Sequence, residues 1–368
     1  MKQLGIDLGT TNTVACYDHE ILGIGDGGVG CLPSVVAFLP NGQTATGQIA
    51  RRRRAIDGPN TIFSSKRIIG RRFDDVTTCE FRERYPFTIV DAGDGVAAFE
   101  TRAGLHTPTD IASILLRRIA EPLDDDLADL RVVITVPTGF GPAQREATLA
   151  AARGAGFVSV DLVDEAEATA HAYQSVADVR GTVAVYDLGG GTFDVSIVEC
   201  DDDSVRVLSR ATEPFLGGDD IDQKISEWVA REVLKQHNWD LTNYDEVAIR
   251  LLAECESAKI RLASEDETRI DLSQVDPECP VASEGVPIRR SVMDSLCLDL
   301  VQRTFVSCDA AVSDAGIKAN ALDAVLLAGG ATYLPMVQDA VEAYFGRRGL
   351  VEIAPTSVVA HGASLASE

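Results

Sequence analysis

The sequence predicts an α/β protein of two lobes that repeat one architecture. Apolar strand-like runs alternate with amphipathic helix-like runs from end to end, the signature of that fold class. The opening segment IDLGTTNTVAC (residues 6–16) is written again, in the same grammar, as YDLGGGTFDVS (residues 186–196) about half a chain later. At 368 residues the chain is also long for a single hydrophobic core. The restart near residue 182 divides it into lobe I, residues 1–181, and lobe II, residues 182–368. This is a long-period duplication, not a solenoid array.

The elements follow in order. KQLGIDLG and NTVACYD read as two strands joined by a turn at residues 8–12, and LPSVVAFLPNG (32–42) as a strand closed by an Asn-Gly turn. Two basic runs come next, RRRR at 51–54 and SKRIIGRR at 65–72; the first reads as a solvated helix face. TPTDIASILLRRIAEPL (107–123) carries a capping signal and sets Ile111, Ile114, Leu115 and Ile119 on one helix face. RVVITVP (131–137) is a continuous apolar strand of the kind buried on both faces. The helix AQREATLAAARGAG ends in glycines, and VSVDLVDEAEATAHAY supplies a strand and another helix.

Lobe II restarts with strands TVAVYD and FDVSIVEC. After LGGDDID (216–222) a helix presents Ile225, Trp228, Val229 and Val233 on one face, and a second long helix covers 245–263. Short strands and loops are expected over 264–290 and a helix over 291–315. LDAVLLAGGATYLP (322–335) is a strand ending in a Gly-Gly turn. A short helix near 356–366 is expected to pack back on lobe I.

The residue balance is globular, 45% hydrophobic and 24% charged. A net charge of −24 argues against nucleic acid or an anionic membrane as partner, since both reward positive charge. No apolar run reaches bilayer-spanning length and the N-terminus lacks the apolar core of a signal peptide, which predicts a cytoplasmic location. The eight cysteines form no C-x-x-C pair. Reduced, mostly buried thiols are therefore expected, not a zinc site or a disulfide framework. The five histidines are scattered, which disfavours a hydrolase triad.

The chemistry lies in the paired turns. A turn of small residues exposes consecutive backbone N–H groups, a concave site suited to phosphate. An aspartate at the strand end repels phosphate but holds a hydrated divalent cation that binds it. One such turn is common in hairpins that bind nothing. Two of them, with a third glycine turn at Ala328-Gly329-Gly330, describe a clamp on a nucleotide's phosphate tail. No Walker A loop is present, and no G-x-G-x-x-G string opens a predicted helix as a dinucleotide fingerprint requires.

GIDLGTTNT, NTIFSSKRIIGRRF, VVITVPTGFGPAQREAT, VYDLGGGTFDVSIVE, FLGGDDID and LLAGGATYLPMVQ occur in this order. As a set they resemble the nucleotide-binding domain of the heat shock protein 70 (DnaK-type) chaperone family, within the actin/hexokinase superfamily, over essentially the whole chain. The resemblance implies an actin-like ATPase fold. Its two lobes have duplicated ribonuclease-H-like cores and an inserted smaller subdomain each, about residues 33–106 and 223–299, around a central nucleotide cleft. It implies slow ATP hydrolysis, with ATP or ADP, Mg2+ and K+ as cofactors. It also implies a monomer that works with a J-domain co-chaperone, a nucleotide-exchange factor and a C-terminal domain. The chain stops at HGASLASE, before the linker and β-sandwich of the family's chaperones, so peptide binding is not expected of these residues.

Carried over residue by residue, the resemblance gives each position a role. Asp7 and Asp187, with Asp194, hold the hydrated magnesium and nearby monovalent cations. Thr10, Thr11 and Asn12 wrap the phosphates from lobe I, and Gly189, Gly190, Gly191 and Thr192 from lobe II; Thr192 also belongs to the catalytic set. Lys66 approaches the γ-phosphate and orients the attacking water, and Glu165 shares that water or the magnesium shell. Adenosine is met by Gly217, Gly218 and Asp219, by Glu256 and Lys259 on one helix face, and by Gly329, Gly330 and Tyr333. Pro137 and Arg145 match a proline switch and its relay. The physical requirement agrees, because phosphoryl transfer to water needs in-line positioning and charge neutralisation more than covalent chemistry.

Some family positions differ. A serine one turn after Lys259 is Ala263 here, an adenine-packing arginine is Tyr333, and an aspartate near the end is Thr356. PTGFGP and DEAEATAHAYQ depart from the family at positions that face the substrate domain, linker or J-domain co-chaperone. Two other readings are carried: a nucleotide sensor or scaffold that hardly hydrolyses ATP, and a filament protein or sugar kinase of the same superfamily. FSSKRIIGRR argues against the last pair.

Overall fold

In the computed structural model, which describes residues 3–25, 28, 30–123, 127, 130–201 and 204–366, the two repeated segments form hairpins of one build. Gln3–Leu8 pairs antiparallel with Asn12–Tyr17 and parallel with Arg131–Val136, which in turn pairs with Ser159–Asp164. Gly181–Leu188 pairs antiparallel with Phe193–Cys200 and parallel with Ala324–Ala328. In each lobe the hairpin's first strand is thus a central strand, and its C-terminal end carries an aspartate.

Side-chain alternation assigns residues to layers, because a strand covered on both faces sends successive residues to opposite sides. Val132 and Ile134 enter the outer core of lobe I with Leu4, Ile6, Leu115 and Ile119. Ala184 and Tyr186 enter the outer core of lobe II with Ile225, Val229 and Val233. The residues between them, Val133, Val183 and Val185, meet in a middle layer built on Ala168, Ala172, Tyr173, Val359 and Ala363. That layer joins the lobes through two helices, Glu165–Ala177 and Val358–Leu365. The Tyr173 hydroxyl donates to the Leu350 carbonyl at 2.7 Å, which satisfies the polar end of a fully buried ring. The Gln3 amide donates to the carbonyls of Ala363 and Ala366 at 3.1 and 2.9 Å, tying the last helix to the first strand.

Smaller elements stand above the cleft. Val35–Phe38 is flanked by Thr44–Thr46 and Thr61–Phe63, and a second three-stranded sheet joins Thr88–Asp91, Ala97–Thr101 and Gly104–His106. In lobe II the helices Gly218–His237 and Asp245–Leu262 lead to the ribbon Glu267–Ile270/Val286–Arg289 and the long helix Arg290–Asp314. Thr107 and Asp110 cap Pro108–Ala120 reciprocally, as the capping signal requires.

The structure departs from the sequence expectations in several places, among them the helices Val76–Arg84 and Pro335–Phe345, which no expectation covered. A third strand, Val205–Glu213, extends the lobe II sheet at its edge. Its polar and apolar residues are mostly half-buried, which leaves little apolar signal. The RRRR run is not a solvated helix face. The helix Gly47–Arg52 ends inside it, and Arg52 alone of the four is exposed. Arg51 forms an ion pair with Glu256 of lobe II, Arg53 pairs with Asp57 at 3.6 Å, and the Arg54 guanidinium sits 3.7 Å from the Phe63 ring centre. Arg51 thus finds its partner across the gap between the lobes, and Arg53 and Arg54 find theirs within lobe I. Among the described residues no helix is long and apolar enough to cross a membrane.

Candidate functional site in the interlobe cleft

The duplicated architecture brings Asp7 and Asp187 to matching places. Asp7 stands opposite Val14 on its hairpin and Thr135 on the parallel neighbour; Asp187 stands opposite Asp194 and Ala328. Between them lies a cavity of about 780 Å3, within the roughly 300–1,000 Å3 usual for small-ligand sites. Thr10, Thr11 and Asn12 line it from lobe I, and Gly189, Gly190 and Thr192 from lobe II. The second turn is closed by Gly189 N donating to Thr192 O at 3.0 Å, and Gly218 N donates to Gly189 O at 3.0 Å, so the loop opening the next helix rests on it.

Lys66 reaches the centre from the short turn Ser65–Ile68, and Glu165 from the first residue of its helix. Lys66 Nζ donates to Glu165 Oε1 at 2.6 Å, with the two side chains 9% and 15% exposed. Burial works against the Lys66 charge, but Glu165 and Asp7 outweigh it and hold the ammonium above its usual range. The aspartates open on the cleft yet are hemmed in by protein. Burial, then the charge of Glu165, pushes Asp7 up to about 7 against the pull of Lys66 and Thr135. Burial, followed by the charges of Glu165, Asp194 and Asp7, drives Asp187 well above the carboxylate range. Asp194 rises to about 6 from burial and Glu165, although it accepts a hydrogen bond from Thr212 at 2.6 Å.

Four carboxyl groups therefore share the charge of Lys66, a set that fits an added cation. Among the described residues no three or more His, Cys, Asp or Glu side chains are grouped to hold a metal directly. The arrangement suits a magnesium-like ion that keeps its water shell.

The far end of the cavity is lined by Gly218, Asp219, Glu256, Lys259, Gly329, Gly330 and Tyr333, with Ala263 and Thr356. Tyr333 is 40% exposed, its ring free to meet a planar ligand. Glu256 and Lys259 lie there with partners of their own. Arg51 takes the Glu256 carboxylate, and Lys259 Nζ donates to Asp222 Oδ2 at 2.8 Å and Gly218 O at 2.9 Å. Gly191 and Gly217 are not part of the lining; they lie behind Gly190. Pro137 lines the cavity, whereas Arg145 stands outside it. Arg145 donates from Nε to Phe140 O at 3.1 Å and pairs with Asp164, linking the segment after Pro137 to the residue before Glu165.

Sequence reasoning did not single out Arg51, Arg67, Phe140, Thr135, Asp222 or Cys31, all in or beside this site. Arg67 follows Lys66 directly, which is the one signal available for it. Cys31 lines the cavity and is half-buried, Cys79 is exposed, and the remaining thiols are buried. Burial raises Cys200 to about 11 and Cys297 to about 12. A thiol reagent is therefore expected to modify Cys79 rapidly and Cys31 slowly in the native protein. Rapid reaction at any of the other six, located by mass spectrometry of labelled peptides, would contradict this burial pattern.

The chain matches the family model described as Hsp70 protein over residues 3–368. Members of that family are ATPases that bind ATP or ADP with magnesium. The duplicated hairpins, the cleft between them and the match along almost the whole length lead to one conclusion: the chain belongs to the Hsp70 family and has its actin-like ATPase fold.

Proposed function

We propose that this chain is the ATP-binding and slowly ATP-hydrolysing domain of a DnaK-like chaperone, whose lobe closure regulates an attached substrate-binding or partner domain. The observation that carries this reading is the buried Lys66–Glu165 pair, set between Asp7 and Asp187 in a cavity lined by both turns. Bound magnesium supplies charge neutralisation at the phosphates and would be held through water by Asp7, Asp187 and Asp194. Backbone N–H groups of the two turns, with Thr10, Thr11 and Thr192, grip the phosphate tail. Lys66 meets the charge of the transferred phosphoryl group and orients the attacking water. Glu165 fixes Lys66 and accepts from that water. Its carboxylate is shared with the Lys66 ammonium at 2.6 Å, which holds both groups in place beside that water. Pro137 and Arg145 carry the state of the cleft outward.

Calorimetry with ATP and ADP, with and without magnesium, and single-turnover hydrolysis test the proposal. Saturable magnesium-dependent binding and slow conversion to ADP are expected. Absence of nucleotide binding rejects the reading, and binding without hydrolysis replaces it with the sensor or scaffold.

A further inference from the structure

The helices Gly218–His237 and Asp245–Leu262 are joined by a buried ion pair. Lys259 Nζ donates to Asp222 Oδ2 at 2.8 Å, with the two side chains 11% and 4% exposed. Asp222 Oδ1 has no hydrogen-bond partner among the described residues, so the carboxylate serves the ammonium alone. Burial lifts the Asp222 carboxyl to about 6 against the pull of Lys259. A pair of this kind often adds nothing to stability over apolar side chains of the same volume, because desolvation consumes the Coulombic gain. What it does fix is the direction of the ammonium.

Lys259 lines the cavity and Asp222 does not. An ammonium has three donors. One goes to Asp222 and a second to Gly218 O at 2.9 Å; the third has no acceptor among the described residues. Gly218 lines the cavity too, and a Cβ there would fall 2.9 Å from Lys259 Nζ, so any side chain at 218 would crowd the ammonium. Three residues earlier, on the same helix face, Glu256 also lines the cavity with its carboxylate held by Arg51. A donor and an acceptor side by side suit the two neighbouring hydroxyls of a ribose. We infer that Asp222 is a positioning residue for the sugar of the nucleotide: it holds Lys259 so that the remaining donor meets a ribose hydroxyl. The inference rests on the nucleotide reading above.

Calorimetry on the wild-type chain, Asp222→Leu and Asp222→Asn, each titrated at fixed magnesium with ADP and with 2′,3′-dideoxy-ADP, tests it. The wild-type chain is expected to bind ADP about tenfold or more tighter than the dideoxy analogue, the worth of one charged hydrogen bond. Asp222→Leu is expected to weaken ADP by about tenfold and to leave the dideoxy analogue unchanged, which also shows that the variant is folded. Asp222→Asn keeps the volume and an acceptor but not the charge, so its loss should be smaller and of the same kind. It carries the test alone where the leucine variant does not fold. Unchanged ADP affinity in both variants overturns the inference. Equal weakening of ADP and the dideoxy analogue also overturns it, because Asp222 would then only tie the two helices together. A wild-type chain that binds both ligands equally overturns it too, since Lys259 would not meet the sugar. Failure of the wild-type chain to bind ADP instead removes the nucleotide reading itself.

Discussion

Lys66→Ala is expected to lower single-turnover ATP hydrolysis by about 10²–10³-fold while ADP still binds. The ammonium lies 2.6 Å from Glu165 and counters the charges of Glu165, Asp7 and Asp194. Those same charges keep it protonated although it is buried. Without it, the charge that develops on the transferred group meets the carboxyl groups and loses the cation set among them. Ground-state binding rests mainly on the backbone of the two turns, which the substitution leaves in place, so the loss should fall on turnover. Asp187→Asn is expected to act in the same direction by a different route. It removes one of the carboxylates that would hold the cation, a group crowded by the charges of Glu165, Asp194 and Asp7. Added magnesium should recover part of its defect by mass action, since Asp7 and Asp194 remain. Thermal melting of each variant separates a chemical defect from a folding one. Unchanged turnover in both would end the hydrolytic reading.

The legible part of this molecule was whatever repeats or sits in a turn. Asp7 and Asp187 could be read because the same strand–turn–strand grammar appears twice, and pairing confirms that both end central strands. The face shared by Glu256 and Lys259 was legible from helical spacing. Their partners were not, since Arg51 and Asp222 come from other helices and are met only on folding. The same gap misplaced the RRRR run, where local sequence shows charge but not the opposing lobe. Val205–Glu213 escaped notice because an edge strand needs no apolar face on both sides. Lys66 owed its role to the resemblance alone. A cation in a basic stretch looks solvated until burial distinguishes it.

Gly362→Ala is expected to destabilise the protein by about 3 kcal/mol, at the upper end of what overpacking costs. The helix Val358–Leu365 runs between the first strand and Glu165–Ala177 with no room for a side chain at two crossings. A Cβ on Gly362 would fall 1.7 Å from the Ala168 carbonyl oxygen, and one on Gly5 2.3 Å from Ser364 N. Both obstacles are backbone, so no rotamer change relieves them, and the helix must move outward. Moving it opens the layer that holds Ala168, Ala172, Val359 and Ala363 together and joins the two sheets. Gly346→Ala is the control. Gly346 has φ of +70° and open space around its Cα, so alanine there costs only about 1 kcal/mol of left-handed backbone strain. Chemical denaturation without nucleotide measures both. Close packing at this crossing predicts the larger loss for Gly362→Ala, together with weaker ADP binding, because the layer that joins the two sheets is then displaced. Equal losses in the two variants would mean that the last helix can shift freely, and the middle layer would not be what sets the width of the cleft.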